Sequence, residues 1–129
     1  MVRRTFLLRG ALAALLVALA APVSAWAETR LVMVEEKGCI WCARWNADVG
    51  EEYPKTEEGR AAPLRRLDLR APRPDDLSFA GPLIITPTFV LIRDGTEVSR
   101  LEGYPGEDFF WGLLRRMLGD AGVDLDAAG

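Results

Sequence analysis

The chain holds two cysteines, and they stand two residues apart in Cys39-Ile40-Trp41-Cys42. Two thiols at this spacing can close a disulfide within the first turn of a helix. There the free N–H groups and the helix dipole favour a thiolate on the first sulfur. A short apolar run, Leu31-Val32-Met33-Val34, precedes the pair, and Gly38 lets the backbone bend sharply into it. The motif therefore calls for a strand end, a tight turn and a helix start within a few residues.

Three uses of such a pair compete. A structural cross-link over so short a loop contributes only about 2 kcal/mol in the chain-entropy model, where a long-range bridge would contribute more. A four-ligand zinc site would need unusual carboxylate help, because the chain has no histidine. The same absence excludes Cys-His and Ser-His-Asp catalysis. A two-thiolate Cu(I) site stays open, since soft sulfur suits Cu(I). The residues favour a dithiol redox centre, with a Cu(I)-binding chaperone as the non-enzymatic alternative.

The first 27 of the 129 residues read as a secretory leader. Arg3, Arg4 and Arg9 carry positive charge, 11–21 is an unbroken run of Ala, Leu and Val, and Ala25-Trp26-Ala27 supplies small residues for cleavage before Glu28. An apolar run of that length falls well short of the roughly 20 residues that span a bilayer, so no permanent membrane span is expected. The paired arginines also fit a twin-arginine signal, which leaves the export route open. Loss of the leader removes three arginines and leaves 13 basic against 19 acidic residues over 28–129, a net charge of −6. That balance argues against nucleic acid as a partner.

Over 28–129 the pattern predicts one α/β domain. A buried strand is expected over 31–35, then a helix over 39–49 closed by Gly50. Thr56 is a candidate N-cap for a short helix that Pro63 stops. A second strand follows over 64–69, completing a βαβ unit. Prolines 72, 74 and 82 exclude a regular element throughout 70–82, although 75–79 reads as a short helical turn. Asp94-Gly95 predicts a hairpin between strands over 88–92 and 96–101. Phe110, Leu113, Leu114, Met117 and Leu118 then form the apolar stripe of a last helix over 107–118, with Gly119 just past it. Trp45 is expected in the core, and Trp41 is read either as a docking rim or as packed on the protein's own loops. Arg65, Arg66, Arg70 and Arg73 read as a solvated face.

Glu36-Lys37-Gly38-Cys39-Ile40-Trp41-Cys42, Thr86-Pro87-Thr88-Phe89-Val90 and Gly103-Tyr104-Pro105-Gly106, in this order of elements, resemble the thioredoxin fold. The chain is similar to the small exported thioredoxin-like proteins of the bacterial sulfur-oxidation (Sox) system, the SoxS type. The resemblance covers nearly all of 28–129. It implies a glutaredoxin-sized, three-layer α/β/α domain with a four-stranded mixed sheet, a βαβ unit followed by a ββα unit. It implies Cys39 as the attacking cysteine and Cys42 as the resolving one. Pro87 matches the cis-proline beside the pair, and Thr86 the residue whose backbone meets the partner's chain. Larger thioredoxins have a buried acid where this chain has Met33, and neither Glu35 nor Glu36 is an obvious replacement.

The activity so implied is periplasmic thiol–disulfide exchange without a cofactor beyond the Cys39–Cys42 pair. Its expected protein substrate is the carrier of thiosulfate oxidation, with a membrane electron-delivery thiol protein as reductant. Reduction of apocytochrome c or of another exported protein is the alternative.

Overall fold

A computed structural model describes residues 27–126. The leader expected over 1–27 lies, but for its last residue, outside the described residues. Strand β1 (Thr29–Glu35) is central. It runs parallel to β2 (Leu64–Asp68) and antiparallel to β3 (Thr88–Arg93), which pairs in turn with β4 (Thr96–Glu102). The sheet order is β2-β1-β3-β4. A strand flanked on both sides and covered on both faces has no use for alternation, which is why Leu31, Val32, Met33 and Val34 are all apolar and all fully buried.

One face of the sheet carries the larger core. Leu31, Met33, Phe89 and Leu91 project into a cluster with Trp45, Val49, Tyr53, Phe110, Leu114 and Leu118. These come from α1 (Ile40–Trp45) and the turns behind it, and from α3 (Glu107–Asp120). Trp45 is its centre, with ring centroids of Phe89 at 5.4 Å and Phe110 at 5.7 Å. Burial of aromatic side chains of this size supplies much of a small domain's apolar contact.

The second helix, α2 (Glu57–Ala61), begins as expected at Thr56, whose Oγ1 accepts the Gly59 N–H at 3.0 Å. Gly59 is there because a Cβ would fall 1.7 Å from the Tyr53 carbonyl oxygen. The buried Glu58 carboxylate accepts from Arg115 Nε, which ties α2 to α3.

The opposite face buries Val32, Val34, Leu67, Val90 and Ile92. Its cover is the segment following β2, through Leu69, Leu77, Phe79 and Leu83, so this outer layer is built of loop. The helical turn expected over 75–79 is not formed. Residues 75–76 make a turn, and Ser78 instead joins β4 by an isolated bridge to Thr96. The Ser78 N–H donates to the Gly95 carbonyl at 2.7 Å, and the Glu97 N–H to the Ser78 carbonyl at 2.9 Å. Prolines spaced through the segment deny it helical donors, so its apolar residues reach the sheet from an extended path.

Three boundaries also differ from the sequence reading by two residues or more. The first helix is regular only over Ile40–Trp45 and widens into a π-helical turn over Asn46–Gly50. The last helix runs through Gly119 to Asp120, and Gly122, at φ +74°, takes the left-handed position beyond it. Strand β1 begins two residues earlier, at Thr29. Asp94 and Gly95, at φ +50° and +82°, form the expected hairpin turn. Among the described residues no helix is long and apolar enough to cross a membrane.

Candidate active site

The cysteine pair lies at the carboxyl end of β1. The chain leaves Glu35, turns through Gly38 at φ +85°, and enters α1 with Cys39 as its N-cap. Cys39 and Cys42 form a disulfide with Cα atoms 5.2 Å apart. Cys39 Sγ accepts the Cys42 N–H at 3.1 Å, so the sulfur takes the place of a capping oxygen. The two sulfurs differ in access. Cys39 is half-buried at the helix start, whereas Cys42 is 4 % exposed and belongs to the main core cluster.

Residues distant in sequence meet here. The Thr86–Pro87 peptide is cis. Thr86 Oγ1 donates to Glu36 Oε1 at 3.3 Å, and the Glu36 carbonyl accepts the Cys39 N–H at 3.2 Å. The Pro87 carbonyl accepts the Gly103 N–H at 2.7 Å, which fixes the 103–106 loop to the Thr86-Pro87 segment. That loop is also tied to the first helix, because the Tyr104 hydroxyl donates to Asp48 Oδ2 at 2.8 Å. Burial first, and then the Asp48 hydrogen bond and charge, hold the Tyr104 phenol well above the ordinary tyrosine range.

Two hollows flank the pair. The first, about 310 Å³, is lined by Trp41, Arg44, Asp48, Tyr104, Pro105 and Gly106. Trp41 is 54 % exposed on its rim, with Ile40, Ile84 and Ile85 also exposed nearby in the 39–42 and 84–87 segments. Of the two sequence readings of Trp41, the exposed one describes its position. The second hollow, about 390 Å³, is lined by both cysteines and by Glu35, Glu36, Asn46 and Asp68, among others.

Met33 is fully buried in the same core cluster as Cys42. The arginine run is solvated, with Arg66, Arg70 and Arg73 exposed, but Arg65 and Arg66 also pair across elements. Arg66 contacts Glu35 Oε2 and donates to Asn46 Oδ1 at 2.8 Å, and its guanidinium lies 5.8 Å from the Trp45 ring centroid. Arg65 pairs with both carboxylate oxygens of Asp76 at 2.6 and 3.0 Å, which pulls that carboxyl below its usual range. These pairings join β2 to β1, α1 and the 75–76 turn, and no spacing in the sequence announces them. Among the described residues no group of three or more His, Cys, Asp or Glu is arranged to hold a metal ion.

A mixed four-stranded sheet with a C-x-x-C pair capping the helix after its first strand defines a thioredoxin-fold thiol:disulfide oxidoreductase. Searches of protein-family models and of curated proteins return no match. Among solved structures, the reduced form of the periplasmic thioredoxin SoxS from Paracoccus pantotrophus is 55% identical in sequence, with a TM-score of 0.72. The similarity covers 73% of this chain and 99% of that one. The chain belongs to the SoxS family of periplasmic thioredoxins.

Proposed function

We propose that this oxidoreductase is a reductant for a periplasmic protein of sulfur oxidation, and that it restores a partner cysteine held as a disulfide or adduct. The proposal takes 28–129 as the working domain, released from a leader over 1–27. Cys39 is the attacking thiol and Cys42 the resolving one. The observation that carries this is the difference in access: Cys39 stands at a helix start, while Cys42 is 4 % exposed behind it.

In the first step the Cys39 thiolate attacks the partner's S–S bond, forms a mixed disulfide and releases one partner sulfur as a thiolate. In the second, Cys42 displaces the remaining partner sulfur and closes the Cys39–Cys42 bond. The partner gains two electrons and the pair loses two. A second thiol protein, delivering electrons through the membrane, must then reduce the pair, because the periplasm is kept oxidising. Trp41, Thr86 and Pro87 are assigned to partner binding, Thr86 as the residue whose backbone meets the partner's chain and Pro87 as the proline beside the cysteine pair.

The test is covalent capture. Cys42→Ser in the periplasm is expected to accumulate a mixed disulfide through Cys39, with the thiosulfate-oxidation carrier as the trapped protein, whereas Cys39→Ser captures nothing. Capture of apocytochrome c instead overturns the assignment of the partner. Failure of both variants to capture any protein overturns the reductant reading.

A further inference from the structure

The resolving step needs a base. Cys42 enters it as a buried thiol and must become a thiolate, and only then can it displace the partner. Its neighbour in the core, Met33, has a thioether that takes no proton at ordinary pH. The Trp41–Tyr104 hollow does not include either cysteine in its walls. The 390 Å³ hollow on the other side does include both, and it offers three carboxylates, Glu35, Glu36 and Asp68.

The hydrogen bonds separate the three. Glu36 is turned to the 84–87 segment, where Oε1 accepts from Thr86 and Oε2 lies 3.5 Å from Arg70 Nε. Asp68 is exposed, and its Oδ1 accepts the Arg70 N–H at 2.8 Å, closing its own turn. Glu35 lies on the strand face of Leu31 and Met33, beneath α1. Its carboxylate is paired to Arg66, and the other Arg66 nitrogen reaches Asn46 on the α1 side of the same hollow. A chain from β1 through β2 to the π-helical turn behind α1 thus holds one carboxylate against the space that Cys42 shares. The hollow has room and polar partners for water.

We propose that Glu35 accepts the Cys42 proton through water in this hollow, with Arg66 and Asn46 as positioning residues. The proposal rests on the exchange function above. The Cys42 S–H proton passes to the Glu35 carboxylate, and the resulting thiolate attacks Cys39 Sγ. The Cys39–partner bond breaks, the Cys39–Cys42 bond forms, and the partner leaves as a thiolate. Glu35 then returns its proton to solvent. The charged groups facing this carboxylate are Arg66 and Asp68 on β2 and Glu36 and Lys37 in the turn, with the neutral Asn46 on the helix side.

The two thiol steps can be timed separately. Reduced protein mixed with an aromatic disulfide reagent releases one coloured thiolate when Cys39 attacks and a second when Cys42 resolves. In Glu35→Gln the second phase is expected to slow roughly a hundredfold, at the low end of general-base effects, with the first phase unchanged. The wild-type second phase should slow at low pH, and this inflection should vanish in Glu35→Gln. Glu35→Asp, which keeps the base, should recover part of the rate and the inflection. A Glu35→Gln second phase of wild-type speed and pH profile overturns the proposal, as does a loss found in Asp68→Asn but not in Glu35→Gln. Absence of both phases in the wild-type protein overturns the exchange function itself, a result distinct from either of these.

Discussion

Tyr53 and Tyr104 are the chain's two tyrosines, and both phenols are held above the ordinary range. For Tyr53 the main cause is burial, followed by the charge of Glu58, and its hydroxyl donates to the Ala62 carbonyl at 2.6 Å. A raised value means that the folded protein keeps the proton where the unfolded chain has lost it. The stabilisation is therefore complete below the unfolded value near 10 and is lost as pH rises beyond it. With no histidine, and with both cysteines in the disulfide, no side chain has an ordinary titration between about pH 6 and 9. Urea unfolding of the oxidised protein should thus give a flat stability over that range. Above about pH 10 stability should fall, with Tyr53 contributing a slope of up to about 1.4 kcal/mol per pH unit. Tyr104 adds in the same direction. Tyr53→Phe should lose the Tyr53 share of the slope, and an unchanged slope refutes the assignment. Single residues were unevenly legible in the sequence. Cys39, Cys42 and Trp45 stood out because their chemistry or size admits few positions. Glu35 did not, since a carboxylate at a strand end looks solvated until Arg66, 31 residues away, is seen beside it.

Between elements, the tie most open to testing is α2 to α3. Glu58 is 4 % exposed, and its carboxylate accepts from Arg115 Nε, while the Arg115 side chain is 58% exposed. Removing a cation from a buried carboxylate is costly, but water can reach this one's open side and moderates the loss. Arg115→Ala is expected to lower stability by about 1–2 kcal/mol. The same substitution in a Glu58→Gln background should cost less, because no buried charge is then left behind. Chemical denaturation of the four proteins completes the cycle, and additive losses would show that the pair is not coupled. Elements with strong local signals were readable in advance: Thr56 as a cap, Asp94-Gly95 as a hairpin turn, and the α3 stripe as core except for Leu113, which is exposed at the stripe's edge. The π-helical turn over Asn46–Gly50 was not, because it repeats the polarity of a helix while changing its hydrogen-bond step. Nor was the course of the segment after β2. Its prolines ruled out one structure without specifying another, and the bridge from Ser78 to Thr96 forms only once β4 is in place.

Taken as a whole, the molecule has two unlike ends. The ends of β1, β2 and β4 and the start of β3 meet at one, with the cysteine pair, Thr86-Pro87 and the 103–106 loop around them. At the other, Arg30 pairs with Glu28 and Arg65 with Asp76 beside the Asp94-Gly95 turn, a charged surface. Among the described residues, four of the seven large apolar side chains left exposed lie in the loops of the disulfide end: Ile40 at 76%, Trp41 at 54%, Ile84 at 73% and Ile85 at 45%. A net charge of −6 over 28–129 gives such a chain solubility, so apolar groups gathered at one end point to contact with another protein there. Truncation of a well-packed interface tryptophan typically costs about 2 kcal/mol, or roughly thirtyfold in binding. Trp41→Ala and Ile84→Asp should therefore slow exchange with a protein disulfide by up to about that factor. A small soluble disulfide touches little beyond the sulfur, so its exchange should change far less. Val98, 49% exposed on β4, is a matched apolar site outside the three loops, and Val98→Asp should leave both rates alone. Equal losses on the large and small substrates would mean that Trp41 and Ile84 act on the cysteine pair itself. A loss confined to the protein substrate places the selection of partner in the rim, and leaves the chemistry to the pair.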